Sequence, residues 1–170
     1  MTVIRNLSIA EIERDLLALG GGNQEDNMEV IGRFPRHYLV ELSEDDFFNL
    51  VFLQVPKLSP ISPPGQDRTL RAVATRAISS SQRMLGSNWD LDAIESRTKE
   101  FLRFGDLQVG PLFLRDPHRS ECRHGLWYLQ DGCHRGLGYA MAILSAGTSY
   151  SPTKAVCSTE RHLGSQTEGG

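Results

Sequence analysis

The segment Asp131-Gly132-Cys133-His134-Arg135 gathers a carboxylate, a thiol, an imidazole and a guanidinium around one glycine. It follows the apolar run Leu126-Trp127-Tyr128-Leu129, of strand length, and precedes Leu137, Ala140, Met141 and Leu144 at helical spacing. A strand that turns through Gly132 into a helix leaves the free N–H groups of the first turn facing outward, and such helix ends bind anions. Arg135 can bridge two phosphate oxygens, and His134 can donate to one or hand over a proton. Cys133, at a helix N-terminus beside Arg135, is expected to have a lowered pKa and to act as a thiolate nucleophile. Asp131 can accept from His134, cap the helix, hold Mg²⁺ near a phosphate, or serve as a general base.

The same residue types also fit ordinary turn chemistry, since Asp-Gly commonly precedes a helix and cysteine is among the most buried residues. A second cluster, His118, Cys122, His124 and Cys133, has four zinc-ligand types, but its spacing matches no familiar finger. Cys122 could instead serve as a resolving thiol if it approached Cys133. With Cys157 the cysteines number three, an odd count that argues against a disulfide scaffold. Arg115, Arg119, Arg123 and Arg135, offset by Asp116, Glu121 and Asp131, leave a local charge near +1, suited to a nucleotide or an acidic small molecule.

The elements that must position this turn are legible in part. Leu7-Ser8-Ile9-Ala10-Glu11-Ile12 is a capping box with a hydrophobic staple, which predicts a helix over 9–19 that Gly20-Gly21-Gly22 ends. Residues 23–27 read as a polar surface loop. A strand is expected over 37–42 and a capped helix over 44–51, where Glu44, Asp45 and Asp46 oppose the positive helix end. Residues 55–65, rich in serine and proline, read as a loop. Helical patterns cover 68–85 and then Trp89 onward, with Gly105 as the stop. Leu112-Phe113-Leu114 and 126–129 form a hairpin or neighbouring strands, a helix covers 134–146 up to Gly147, and a last strand holds 154–158.

At 170 residues one core can bury about 70 % of the chain's surface, which favours a single domain. The formal charge is −3, and no run of five basic residues marks a nucleic-acid arm, so DNA is a less favoured partner. Fifteen of the eighteen basic residues are arginine, whose planar fork suits carboxylate and phosphate. The absence of a long apolar run or a secretory pattern over 1–20 leads to the expectation of a soluble, cytoplasmic protein away from membranes.

Asp131-Gly132-Cys133-His134-Arg135, after Trp127-Tyr128-Leu129 and before Tyr139-Ala140, resembles the signature turn of the ParB/sulfiredoxin superfamily. Pro152, Lys154, Val156, Ser158 and Thr159 are similar to the sulfiredoxin strand that follows. The resemblance covers about 106–160. It implies a mixed α+β domain with a small mixed sheet and added helices: one domain over 1–170, with an N-terminal helical extension at 1–30, a helical insertion at 68–105 and a flexible tail at 164–170.

Sulfiredoxins usually carry a second glycine where this chain has Asp131, and an acid there is more similar to the ParB-like branch, which includes small-molecule kinases. The resemblance therefore implies a phosphotransferase that uses ATP or ADP with Mg²⁺ on a small-molecule acceptor. Asp131, Cys133 and His134 would be catalytic, Gly132, Cys133, His134, Arg135 and Lys154 would bind nucleotide, and Asp131 would hold the metal. A base elsewhere is implied, with Glu41, Glu44, Asp45 and Asp46 as candidates. Two alternatives remain open. One is an ATP-dependent reductase of protein sulfinic acids that acts on a peroxiredoxin-like partner through Cys133. The other is a non-enzymatic ParB-like adaptor for DNA or protein; Cys133-His134 in place of the ParB pattern speaks against CTP use.

Overall fold

The computed structural model describes residues 1–19, 24–53, 58, 61–80, 89–104, 112–117 and 126–164. Helix α1 (Ile9–Leu19) begins as its sequence dictates: Ser8 N–H donates to Glu11 Oε2 at 2.8 Å and Glu11 N–H donates to Ser8 Oγ at 3.3 Å. Leu7 and Ile12, the two ends of the staple, are both buried. Helix α2 (Gln24–Ile31) replaces the surface loop expected at 23–27, and it buries Asn27 and Ile31 on one face. Helix α3 (Glu44–Phe48) is shorter than expected but carries the reciprocal Ser43–Asp46 capping box.

Six strands make one mixed sheet: β1 (Thr2–Asn6), β2 (Arg36–Leu42), β3 (Val51–Phe52), β4 (Leu112–Arg115), β5 (Tyr128–Asp131) and β6 (Thr153–Thr159). Their order is β1-β2-β6-β4-β5-β3, with β4/β6 and β3/β5 parallel and the other pairs antiparallel. β1 was not expected. It lies within the anticipated helical extension, yet it is an edge strand bulged between Val3 and Arg5. The expected pair at 112–114 and 126–129 is realised as antiparallel neighbours.

Side chains alternate across this sheet, so both faces are apolar and both are covered. On one face Leu39, Phe113 and Val156 meet Ile12, Met28 and Ile31 of α1 and α2. On the other, Val40, Leu42, Leu112, Leu114, Leu129 and Ala155 meet α3, α4 (Leu70–Ser79), α5 (Trp89–Phe104) and α6 (Cys133–Ala146). The helices expected at 68–105 thus form one wall of the main core, although α4 stops at Ser79, with Ser80 as its cap.

Helix α6 is buried almost all round from Arg135 to Ala140, as a helix between a sheet and two other helices must be. Its small residues permit the close approach. A Cβ on Gly138 would lie 2.7 Å from Arg97 Cβ and 3.1 Å from Thr98 N, so the backbone of α5 rests directly on this glycine. Neither neighbour is the end of a flexible side chain, and the two helices must part to admit a methyl group. Gly138→Ala is therefore expected to cost about 2 kcal/mol by overpacking and to lower the melting temperature by about 4–8 °C; calorimetric melting checks this.

Candidate functional site

Gly132 is where the strand becomes the helix. It sits at φ 88°, ψ 19°, a left-handed conformation that glycine adopts without a Cβ clash, and it is the N-cap of α6 with no side-chain cap. The first helical bond runs from Gly136 N–H to Gly132 O at 2.8 Å. The expected strand, glycine turn and helix are all present, and Gly147, at φ 64°, ends α6.

Arg135 folds back over that turn. Its guanidinium lies 2.9 Å from the position a Gly132 Cβ would occupy, and Nη2 donates to Asp131 Oδ2 at 3.2 Å. The Arg135 side chain is only 8 % exposed and Asp131 is 27 % exposed, so the ion pair is partly buried. Burial pulls the Arg135 pKa below its usual value, Asp131 opposes that shift, and Arg97 of α5 adds to it. Arg97, which α5 delivers across the Gly138 contact, is a second cation within electrostatic reach of the turn.

Asp131 is held from its other side as well. Asn27 Nδ2 donates to Asp131 Oδ1 at 3.2 Å, Gln130 Nε2 donates to Asn27 Oδ1 at 3.0 Å, and Arg115 Nε donates to Gln130 Oε1 at 2.8 Å. The carboxylate ends a chain of hydrogen bonds that links β4, β5 and α2. Arg115 is itself buried, bonds the Asp116 carbonyl at 3.0 Å and lies 5.0 Å from the Tyr128 ring centre.

Cys133 overturns an expectation. Its thiol is pushed up to about 12, chiefly by loss of solvent and then by the Asp131 charge, with backbone and Arg135 contributions too small to compensate. Arg135 does act in the expected direction, but desolvation of a thiolate outweighs it. The partly buried Sγ donates to Leu129 O at 3.5 Å, which is the geometry of a packed neutral thiol. Cys157 is likewise fully buried with its pKa raised.

The remaining expected residues separate. His134 is partly buried on the first turn of α6. Lys154 stands exposed opposite Glu41, on β6, and β4 separates β6 from β5. Asp46 is spent on the α3 capping box with Ser43, and Glu44 and Asp45 are exposed in the same first turn. His118, Cys122 and His124, and with them the zinc and resolving-thiol readings, lie outside the described residues, as does the tail from 165.

Among the described residues no three His, Cys, Asp or Glu side chains gather as a metal site requires. Asp131, the expected metal ligand, accepts one hydrogen bond on each oxygen, from Asn27 and from the Arg135 guanidinium. A divalent cation there would also meet the Arg135 charge. Asn27, Gln130 and Arg97 were not singled out from sequence. The nearest signal was that Asn27 falls four residues before Ile31, on an inward helical face.

Asn27→Ala would leave the Gln130 amide and Asp131 Oδ1 without their partner, a loss of about 1–3 kcal/mol; urea unfolding checks it. Alkylation tests Cys133. Relative to an ordinary thiol near 9, its thiolate fraction at pH 8 falls about a thousandfold, and the greater nucleophilicity of a more basic thiolate restores about twentyfold of that. Iodoacetamide should therefore modify Cys133 about fifty times more slowly than free cysteine. The rate, followed by peptide mass spectrometry, should keep rising beyond pH 10, whereas a plateau below pH 9 would restore the nucleophile.

No helix among the described residues is long and apolar enough to cross a membrane. No family model, no curated protein and no solved structure matches the chain.

Proposed function

We propose that the turn at 131–135 binds the phosphates of a nucleotide, and that the chain is a nucleotide-dependent phosphotransferase acting on a small-molecule acceptor. The carrying observation is the position of Arg135: its buried guanidinium lies over the left-handed Gly132, at the positive end of α6. An anion approaching that helix end meets a pre-oriented cation and close backbone at once. Arg97 adds a second cation within electrostatic reach of the turn, although Glu100 pairs with it at 2.7 Å as Asp131 pairs with Arg135.

Phosphoryl transfer asks chiefly for positioning and for compensation of charge that develops on the transferred group. Arg135 offers both because its partner Asp131 fixes its orientation, and Asn27 fixes Asp131. His134 stands on the same helical turn, partly buried. Mg²⁺ would arrive with the nucleotide phosphates, and Asp131 is the carboxylate nearest them. ATP and ADP remain the nucleotides to test first.

The raised Cys133 pKa weighs against sulfinic-acid reduction through that thiol. In a reductase Cys133→Ser would abolish turnover, whereas under the present reading it leaves nucleotide binding and turnover within about twofold.

Calorimetric titration with ATP, ADP and CTP in Mg²⁺ is the direct test. At least one should give saturable heat, and Arg97→Gln should weaken it severalfold while the melting temperature stays near that of the parent. Arg135→Ala should weaken it at least tenfold, with folding checked because it leaves Asp131 unpaired. Absence of saturable heat from all three nucleotides would remove this reading, and sequence-dependent DNA retention in its place would favour the adaptor.

A further inference from the structure

A cavity of about 540 Å³ lies between the β1 edge, the start of β2 and the segment after β6. Its volume falls in the range of small-ligand sites. Arg5, Arg36, His37 and His162 line it, together with the apolar Ile4 and Leu163, and among the described residues no aspartate or glutamate does.

These basic residues are not equivalent. Arg5 is neutralised by Glu11 at 2.7 Å, and Glu11 itself is held near 2 by the Ser8 backbone N–H and by Arg5, so that pair persists far into the acid range. Arg36 has no such partner among the described residues: its Nη1 donates to the carbonyl of Glu160 at 2.6 Å, a neutral acceptor. His37 Nδ1 is 2.9 Å from Ser158 Oγ, which fixes the ring against β6.

The opposite wall is also held in place. Asp116 accepts from the Thr159 hydroxyl and from Glu160 N–H at 3.0 Å and pairs with Arg161, whose guanidinium lies 4.5 Å from the Trp127 ring centre. His162 and Leu163 follow directly on this clamp. Ile4, at the β1 bulge, is 47 % exposed, an apolar side chain left on the rim of a cationic cavity.

We propose that this cavity is a second binding site, which takes a small organic anion with a dianionic head and an apolar body. Arg36 receives the head, His37 and His162 border it, and Ile4 and Leu163 cover the body. The site is separate from the turn at 131–135. β2 and β5 are three strand spacings apart, about 14 Å, and the register puts Arg36 in line with Thr159 while Asp131 is in line with Phe113 and Val156, three residues further along β6.

Phenyl phosphate is the probe, titrated while the ring protons of His37 and His162 are followed by NMR. Their shifts should saturate below millimolar concentration, about tenfold below that needed with inorganic phosphate. Arg36→Gln should weaken binding at least tenfold and His162→Ala severalfold, and Arg97→Gln should leave it unchanged. The exposed His162 carries the test should Arg36→Gln fail to fold. Absence of saturation, undiminished binding in the folded variants, equal weakening by Arg97→Gln, or equally tight saturation by benzyl alcohol would each overturn the proposal.

Discussion

The direction of one hydrogen-bond chain is dictated by the chemistry of its two ends. Arg115 can only donate, and an ionised Asp131 can only accept. Gln130 must therefore turn its oxygen to Arg115 and its amide nitrogen to Asn27, and Asn27 must do the same toward Asp131. No amide in the chain can be flipped without opposing donor to donor. Arg135 closes the arrangement from the far side. Five residues from two strands and two helices thus share one state, which is why the start of α6 has a defined orientation against the sheet.

That defined orientation has a cost in solvent, and the cost falls unequally. A guanidinium can leave water when a carboxylate and good hydrogen bonds meet it, and Arg135 does. A thiol at the same helix end has no comparable partner, so burial moves it toward the neutral form by far more than a helix dipole can oppose. One environment therefore acts differently on Cys133 and Arg135: the guanidinium keeps its carboxylate partner, and the thiol is held toward its neutral form. The close contact at Gly138 belongs to the same economy of space, since it lets α5 bring Arg97 near a turn that its own helix could not supply with a second cation.

What the sequence revealed follows from the range of the forces involved. Capping at Ser8 and Ser43, the stop at Gly147 and the passage from strand to helix at Gly132 are decided within four or five residues, and the structure contains each of these, while Gly20-Gly21-Gly22 and Gly105 lie outside the described residues. The mixed α+β character follows from the same local patterns. Asn27 was read as part of a polar loop because its partners, Gln130 and Asp131, lie more than a hundred positions away. β1 escaped for a related reason: Thr2–Asn6 is mostly exposed and becomes a strand only by pairing with β2. The thiol of Cys133 was misread because sequence shows the neighbouring charges but not the loss of water that overrides them. The residues of the turn were legible; the framework that decides their chemistry was not.

The two cationic places on this sheet also differ in what an anion would have to displace. At Arg135 the guanidinium already faces Asp131, so an incoming phosphate must share a cation rather than find a vacant one, and its gain depends on the helix end and Arg97. At Arg36 only a neutral carbonyl is engaged, so the whole charge is available, but the side chain is exposed and solvent screens it. Buried pairs hold their geometry and resist salt, while exposed cations gain attraction over distance and lose it as salt rises. The sheet carries both kinds, three strands apart, with arginine the cation in each.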